Sequence, residues 1–542
     1  MTPLTGTRRL VRLGLRRDRV QLPVWIAGTL AFLYASLSAT ATQYPTDADR
    51  AAVLKTAVQS PALLFLRSTP TGADAATMVM FQMLPFLVVM AGLMSTFAVV
   101  RHTRQEEETG RAEMIGATVV GRYALLTAAL VVAAIADAAL GLVVTLALVG
   151  YGHAAAGSVA AGLAVALGGM AFAGLAAVAA QVMQTSRAAN GLASAAVGVA
   201  YVLRGIGDAT GTVNPDGYTM TTGWVTWLSP IGWSQLVHPY AGDRWWVLLL
   251  PLATVVAAVA AAFALTRNRD VGLGMIPPRP GPATARPALL SALGLAWRLQ
   301  RGVLVAWLVT LGLFGLVLGS LGNTVRDAFQ ENATAGETLT NLGGRSDDIA
   351  DSFFGAIMAF VGFFVAAYVV SALLRLRGEE AGGHAEPVLA TATGRLRWLG
   401  GHLVVAVAGA AAMLLVTGAA TGLVYGQSVG EIGHQVTRMT AAALVQLPPV
   451  LVVGAFVVLV FGLLPRLTVG LAWTALALSL VAGQLAAMFD LPQAVRDLSP
   501  FSHVPVLPVA EFRAVPVLVL VAVAAALLTA GAALFRRRDL VL

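Results

Sequence analysis

The sequence predicts an all-α polytopic membrane protein, with twelve transmembrane helices arranged as two parallel six-helix repeats. Three observations carry that reading. The chain is 58% hydrophobic and only 11% charged, with a mean hydropathy of +0.79, whereas a soluble domain carries about 25% charged residues. Apolar runs of about 20 residues, the length that crosses a bilayer, recur twelve times. Residues 106–122, EEETGRAEMIGATVVGR, return without a gap as residues 379–395, EEAGGHAEPVLATATGR, at an offset of 273.

The expected spans are 22–41, 77–100, 123–149, 155–180, 188–206, 246–266, 303–322, 353–374, 402–425, 439–464, 467–488 and 515–535. The first follows six arginines, Arg8, Arg9, Arg12, Arg16, Arg17 and Arg19, and ends near Ala39-Thr40-Ala41, which imitates a secretion signal. Its apolar run is too long for that, and cleavage would remove the partner of the seventh span, so it reads as an uncleaved helix. The third span contains Asp137, the one acid deep in a run. Residues 224–246, up to the start of the sixth span, hold Trp224, Trp227, Trp233, Trp245 and Trp246, five of the ten tryptophans. Indoles prefer the headgroup region, so this segment reads as an interfacial anchor.

Alternate loops carry opposite charge. With the N-terminus in the cytoplasm, 25 arginines fall inside and the other ten Lys or Arg fall outside, counting Arg204 near the outer end of the fifth span. Acids run the other way, 16 outside and 10 inside. The bias in basic residues sets orientation and places both termini in the cytoplasm. It also accounts for a pI near 10.3 without a nucleic-acid partner. Cysteine is absent and the seven histidines are scattered, so no metal site and no catalytic constellation is expected. Lys55 is the only lysine beside abundant Ala and Arg. That usage fits a GC-rich bacterial genome and hence the bacterial plasma membrane.

The repeat extends beyond the first motif. Arg16, Arg19 and Trp25 return as Arg298, Arg301 and Trp307, Ser229-Pro230 as Ser499-Pro500, and residues 267–270 as 536–539. The expected halves are 1–270 and 290–542. Six spans is an even number, so both halves enter from the same side, as parallel repeats do. A cytoplasmic linker, 271–289, joins them. Pro277, Pro278, Pro280, Pro282 and Pro287 make it stiff and extended.

Both copies of the motif follow the second span of their half and form polar islands in an apolar chain. Glu106 and Glu107, like Glu379 and Glu380, fall where a helix has left the membrane. Gly110 and Gly383 suit the left-handed turn that ends such a helix. Glu113 and Glu386 then sit in the first turn of a short helix, where a carboxylate meets the positive dipole end. Arg122 and Arg395 mark the return to the membrane. The expected product is a rigid acidic elbow, present twice.

The motif E-x-x-x-G-x-x-E-x-[LIV]-x-A-T-x-x-x-R resembles the coupling loop of ABC-2 type ABC transporter permeases. Through its doubling the resemblance covers nearly the whole chain, in a tandem form similar to actinobacterial exporters of polyketide antibiotics and other drugs. Two departures stand out: Val119 and Ala392 occupy a position where the family often has Pro, and Pro387 occurs in the second copy only. The resemblance implies that the two elbows receive two copies of an ABC ATPase subunit. ATP and Mg would reside there and not in this chain. No G-x-x-x-x-G-K-[ST] is present, and with Lys55 as the one lysine none is possible.

The resemblance further implies that the second and fifth helices of each half line the substrate path. In the second and eighth spans these include Gln82, Met83, Phe86 and Met90, and Phe354, Phe360, Phe364 and Tyr368. Met and aromatic side chains form an adaptable apolar surface, which fits a hydrophobic small molecule; plain helix packing fits them too. Asp137, whose repeat position is Ala410, suits either cation binding or a hydrogen-bonded structural role. Gly315/Gly319 and Gly418/Gly422 suit close helix packing. A proton-coupled secondary drug transporter is the alternative, since twelve helices in parallel halves fit that class as well.

Overall fold

A bilayer interior offers no water to the backbone, so runs of Leu, Val and Ala must close their hydrogen bonds internally, and helix is the local solution. The computed structural model describes residues 2–276, 283–330, 346–484, 492–510 and 512–539, with side chains assigned outside 323–330 and 346–349. It is almost wholly helical and divides into two compact units, Met1–Pro280 and Gly281–Leu542.

In the first unit, α1 (Thr7–Arg17) precedes the spans α2 (Gln21–Gln43), α5 (Ala75–His102), α8 (Ala124–Gly150), α9 (Ala155–Val182), α10 (Ser186–Ala209) and α12 (Leu249–Arg267). Between α2 and α5 lie the short helices α3 (Asp47–Val58) and α4 (Pro61–Leu66). Each starts on a side-chain cap: Thr46 and Asp49 form a reciprocal capping box, and Ser60 precedes Pro61. The elbow consists of α6 (Arg104–Glu108) and α7 (Arg111–Gly116). Past α10, a small antiparallel ribbon of β1 (Thr212–Val213) and β2 (Met220–Thr221) and the helix α11 (Pro230–Leu236) close one end.

Helix α9 is the packing centre and lies against α5, α8 and α12. Its buried face is built from Gly and Ala, which lets backbones approach. A Cβ on Gly141 or Gly162 would stand 2.5 Å from the other's carbonyl oxygen, and one on Gly92 would stand 2.7 Å from the Phe172 ring.

In the second unit the order is α13 (Ala292–Gln330), α14 (Ser346–Ala381), α15 (Ala385–Leu389), α16 (Arg395–Val429), α17 (Ile432–Leu444), α18 (Leu447–Leu463), α19 (Thr468–Gly483), α20 (Gln493–Arg496) and α21 (Ala514–Arg537). Helix α13 packs along α16, with Gly315 and Gly319 against the carbonyls of Thr417 and Thr421, and Gly418 and Gly422 against those of Met439 and Gln435.

Eleven helices among the described residues are long and apolar enough to cross a membrane. The expected eleventh span, 467–488, appears as α19, 16 residues long, and its positions from 485 onward lie outside the described residues. Half of the expected outer segment 323–352, residues 331–345, and the linker prolines Pro277, Pro278, Pro280 and Pro282 also fall outside described positions. Two features add to the expected spans. The arginine-rich N-terminus is a helix of its own, broken from α2 at Asp18 because Asp18 turns inward to Arg101 and His102. The matching region of the second unit runs unbroken into its span, as α13.

Candidate functional site

The first elbow starts where α5 ends at His102. Gly110, at φ +72°, turns the chain between α6 and α7, and Glu113 falls in the first turn of α7 and is exposed. The preceding acids turn inward. Glu106 is buried and accepts from Arg17 at 2.6 Å, with Arg111 at 3.6 Å. Glu107 accepts both guanidinium nitrogens of Arg269 at 2.6 and 2.8 Å, and Arg104 at 2.9 Å. Glu108 accepts the amide of Ser186, the first residue of α10, at 3.0 Å, so a carboxylate faces a positive helix end. Arg122 donates to the last carbonyls of α12, Thr266 at 3.1 Å and Arg267 at 3.0 Å.

The second elbow repeats this plan. Gly383 has φ +70°, and Glu386 is exposed in the first turn of α15. Glu380 is buried and accepts both guanidinium nitrogens of Arg538 at 2.6 and 2.8 Å, with Arg377 at 3.8 Å. Arg395 donates to the carbonyls of Phe535 at 3.4 Å, Arg536 at 3.3 Å and Arg538. Glu379 takes Arg375 of its own helix at 2.7 Å, where Glu106 takes Arg17 of α1.

Two repeats that look separate in the sequence therefore meet in space. The 106–122 motif supplies the acid, its copy at 379–395 does the same, and the motifs at 267–270 and 536–539 supply the arginine. Each bond is bidentate and shielded, the strong form of the Arg–carboxylate contact. In both units it ties the elbow to the far end of the sixth span. This corrects one expectation. The elbows do not present a row of acids, because Glu106, Glu107, Glu379 and Glu380 are consumed by internal arginines. Their exposed faces carry Glu113 with Met114 and Val119, and Glu386 with Pro387.

The expected path residues divide into two sets. Four are buried against neighbours of their own unit. Gln82 is buried and accepts from the Ser36 hydroxyl at 3.0 Å. Phe354 lies against Phe353 and Tyr425, ring centroids 5.5 and 4.8 Å away. Tyr368 is buried beside Trp307. Asp137 is fully buried, with the Ser95 hydroxyl 2.7 Å from both carboxyl oxygens, and a Cβ on Gly169 would overlap it. The others keep an open side. Met83, Phe86 and Met90 are half-buried, and Phe360 and Phe364 are exposed. Phe86 contacts Phe32 and Tyr201, and Phe364 contacts Phe314.

Sequence reasoning missed a buried ionic network at the opposite end of the first unit. Arg204 donates to the carbonyls of Phe65, at 2.8 Å, and Arg67, to Asp208 at 3.1 Å, and lies over the Tyr201 ring. Asp208 also accepts Gln235 and Thr226. The network fastens α4 and α11 to α10. Its one local signal is the Arg–Asp spacing of four residues.

Residues 289–536 match the family described as "Multidrug efflux system permease Rv1217c, C-terminal domain". The chain is also 42% identical over 538 residues to the "Multidrug efflux system permease protein Rv1217c" of Mycobacterium tuberculosis, covering 99% of this chain and 95% of that protein.

Proposed function

The chain belongs to the multidrug efflux system permease family, and on that premise we propose that it is the membrane subunit of an ATP-driven ABC exporter. It moves hydrophobic, polyketide-like drugs or antibiotics out across the bacterial plasma membrane. Both termini and both elbows face the cytoplasm, and each elbow receives one copy of a separate ATPase subunit. Closure of the ATPase pair on ATP pushes the elbows and shifts the helices between inward-open and outward-open states.

The observation that carries this reading is the duplicated elbow. A short helix with one exposed acid is bolted through a shielded Glu–Arg pair to the end of the sixth span, in each unit. Such a part suits the transmission of force better than the capping of a helix hairpin, which needs no bond to a distant span. The sequence adds that a partner must supply the phosphate-binding loop, since Lys55 is the sole lysine. Met83, Phe86, Met90, Phe360 and Phe364 are the side chains best placed to meet an apolar substrate.

The test is reconstitution of the full chain with and without the ATPase, measuring export of a hydrophobic drug under ATP and under a pH gradient. Export is expected only with ATPase and ATP together. Export driven by the pH gradient alone would instead establish the proton-coupled alternative.

A further inference from the structure

The arginines at the elbow end of the first unit differ in what they meet. Arg17, Arg101, Arg104 and Arg269 face the protein, and each meets an acid. Arg122 caps carbonyls. Arg8, Arg9, Arg12, Arg16 and Arg19 point away and are exposed, with no acidic side chain paired to them among the described residues. Residues 1–17 contain no acid, and Asp18 is buried.

Between these arginines runs a groove of about 430 Å³, lined by Arg8, Val11, Arg12, Leu15, Arg16 and Arg19. Val11 and Leu15 give it an apolar floor, and they also pack on the core of the unit. The rim is cationic throughout. Three residues past Asp18, α2 begins its crossing at Gln21, so the groove lies at the level of the bilayer surface.

We propose that this face of α1 binds an anionic phospholipid of the leaflet on the elbow side. The floor takes the start of an acyl chain and the guanidinium groups take the phosphate, for which Arg supplies paired donors. A zwitterionic lipid would place its own cation among four arginines. The second unit has no counterpart: the matching stretch continues straight into α13 and carries Arg298 and Arg301 alone. On its other side α1 grips the first elbow through Arg17 and Glu106, so a lipid held here anchors one elbow to the leaflet. This inference does not rest on ATP coupling.

The test uses the purified full chain in neutral detergent and follows thermal unfolding with added short-chain phosphatidylglycerol, phosphatidylcholine or inorganic phosphate. Phosphatidylglycerol should raise Tm, and the other two should not. Each arginine near an anionic surface strengthens binding about fivefold. Arg8→Gln/Arg12→Gln should therefore weaken the phosphatidylglycerol midpoint about 25-fold. Arg298→Gln/Arg301→Gln should leave it unchanged. Equal stabilisation by phosphatidylcholine, or by phosphate alone, would overturn the proposal. So would an unchanged midpoint in the α1 variant. Should that variant fold poorly, salt supplies the check on the unaltered chain. Raising it from about 0.05 to about 0.5 M should screen these exposed charges and weaken the midpoint, and a salt-independent midpoint would also refute the site.

Discussion

At the repeat offset, Ser95 corresponds to Tyr368 and Asp137 to Ala410, and the two pairs fill one space in two ways. In the first unit the Ser95 hydroxyl meets the Asp137 carboxyl from the neighbouring helix. In the second, the Tyr368 ring reaches across instead, its hydroxyl 3.4 Å from the Val405 carbonyl and close over Gly409. An acid in one unit is thus replaced by bulk in the other, which marks Asp137 as a helix-packing residue. Gly169 completes the fit. Gly169→Ala should lower stability by roughly 1–3 kcal/mol, the range for an overfilled core, seen as a lower Tm in detergent. Adding Asp137→Ala should recover part of that loss, since contacting residues are coupled. Asp137→Asn keeps the Ser95 contact and should retain near-normal drug transport. Loss of transport in a well-folded Asp137→Asn protein would show that the acid has a proton or cation to carry.

The elements separate what a sequence can disclose from what it cannot. The apolar runs, Gly110 and Gly383 were legible because their causes are local: length, hydropathy and a left-handed φ. The caps of α3 and α4 are equally local, in Thr46-x-x-Asp49 and Ser60-Pro61. The direction of the elbow acids was not legible. Glu107 meets Arg269 across 162 residues and Glu380 meets Arg538 across 158, and no local pattern encodes such a pairing. These bonds carry a prediction about coupled cost. Removing one partner of a shielded pair strands the other charge and costs about 3–5 kcal/mol. Glu107 keeps Arg104 at 2.9 Å after loss of Arg269. Arg104→Met with Arg269→Met should therefore lower Tm by more than the two single changes added together, in parallel melts of the variants. Additive shifts would mean that Arg104 does not hold Glu107 when alone.

Across the whole molecule, duplication and divergence act on the same parts. Both elbows share the Glu–Arg bond to the sixth span, the carbonyl-capping arginine and the exposed acid of the short helix. The first is also braced by the segment that precedes its first span. The Gly121 amide donates to the Thr5 carbonyl at 2.9 Å, the Tyr123 amide to Pro3 at 3.0 Å, and Glu106 holds Arg17. Glu379 is satisfied within its own helix by Arg375. A braced elbow passes a push into its unit with less give, so the two docking faces should share the load unequally. Charge reversal tests this without touching the internal bonds, because Glu113 and Glu386 are exposed and no ion pair involves them among the described residues. Glu113→Arg with Glu386→Arg should abolish ATP-driven export while leaving membrane insertion and thermal stability intact. Each single reversal should retain partial export, and Glu113→Arg should retain less. The measurement is ATP-dependent drug accumulation in inverted membrane vesicles containing the ATPase, alongside co-purification of that ATPase. Normal accumulation by the double variant would remove the docking role, and equal loss in the two singles would remove the argument from bracing.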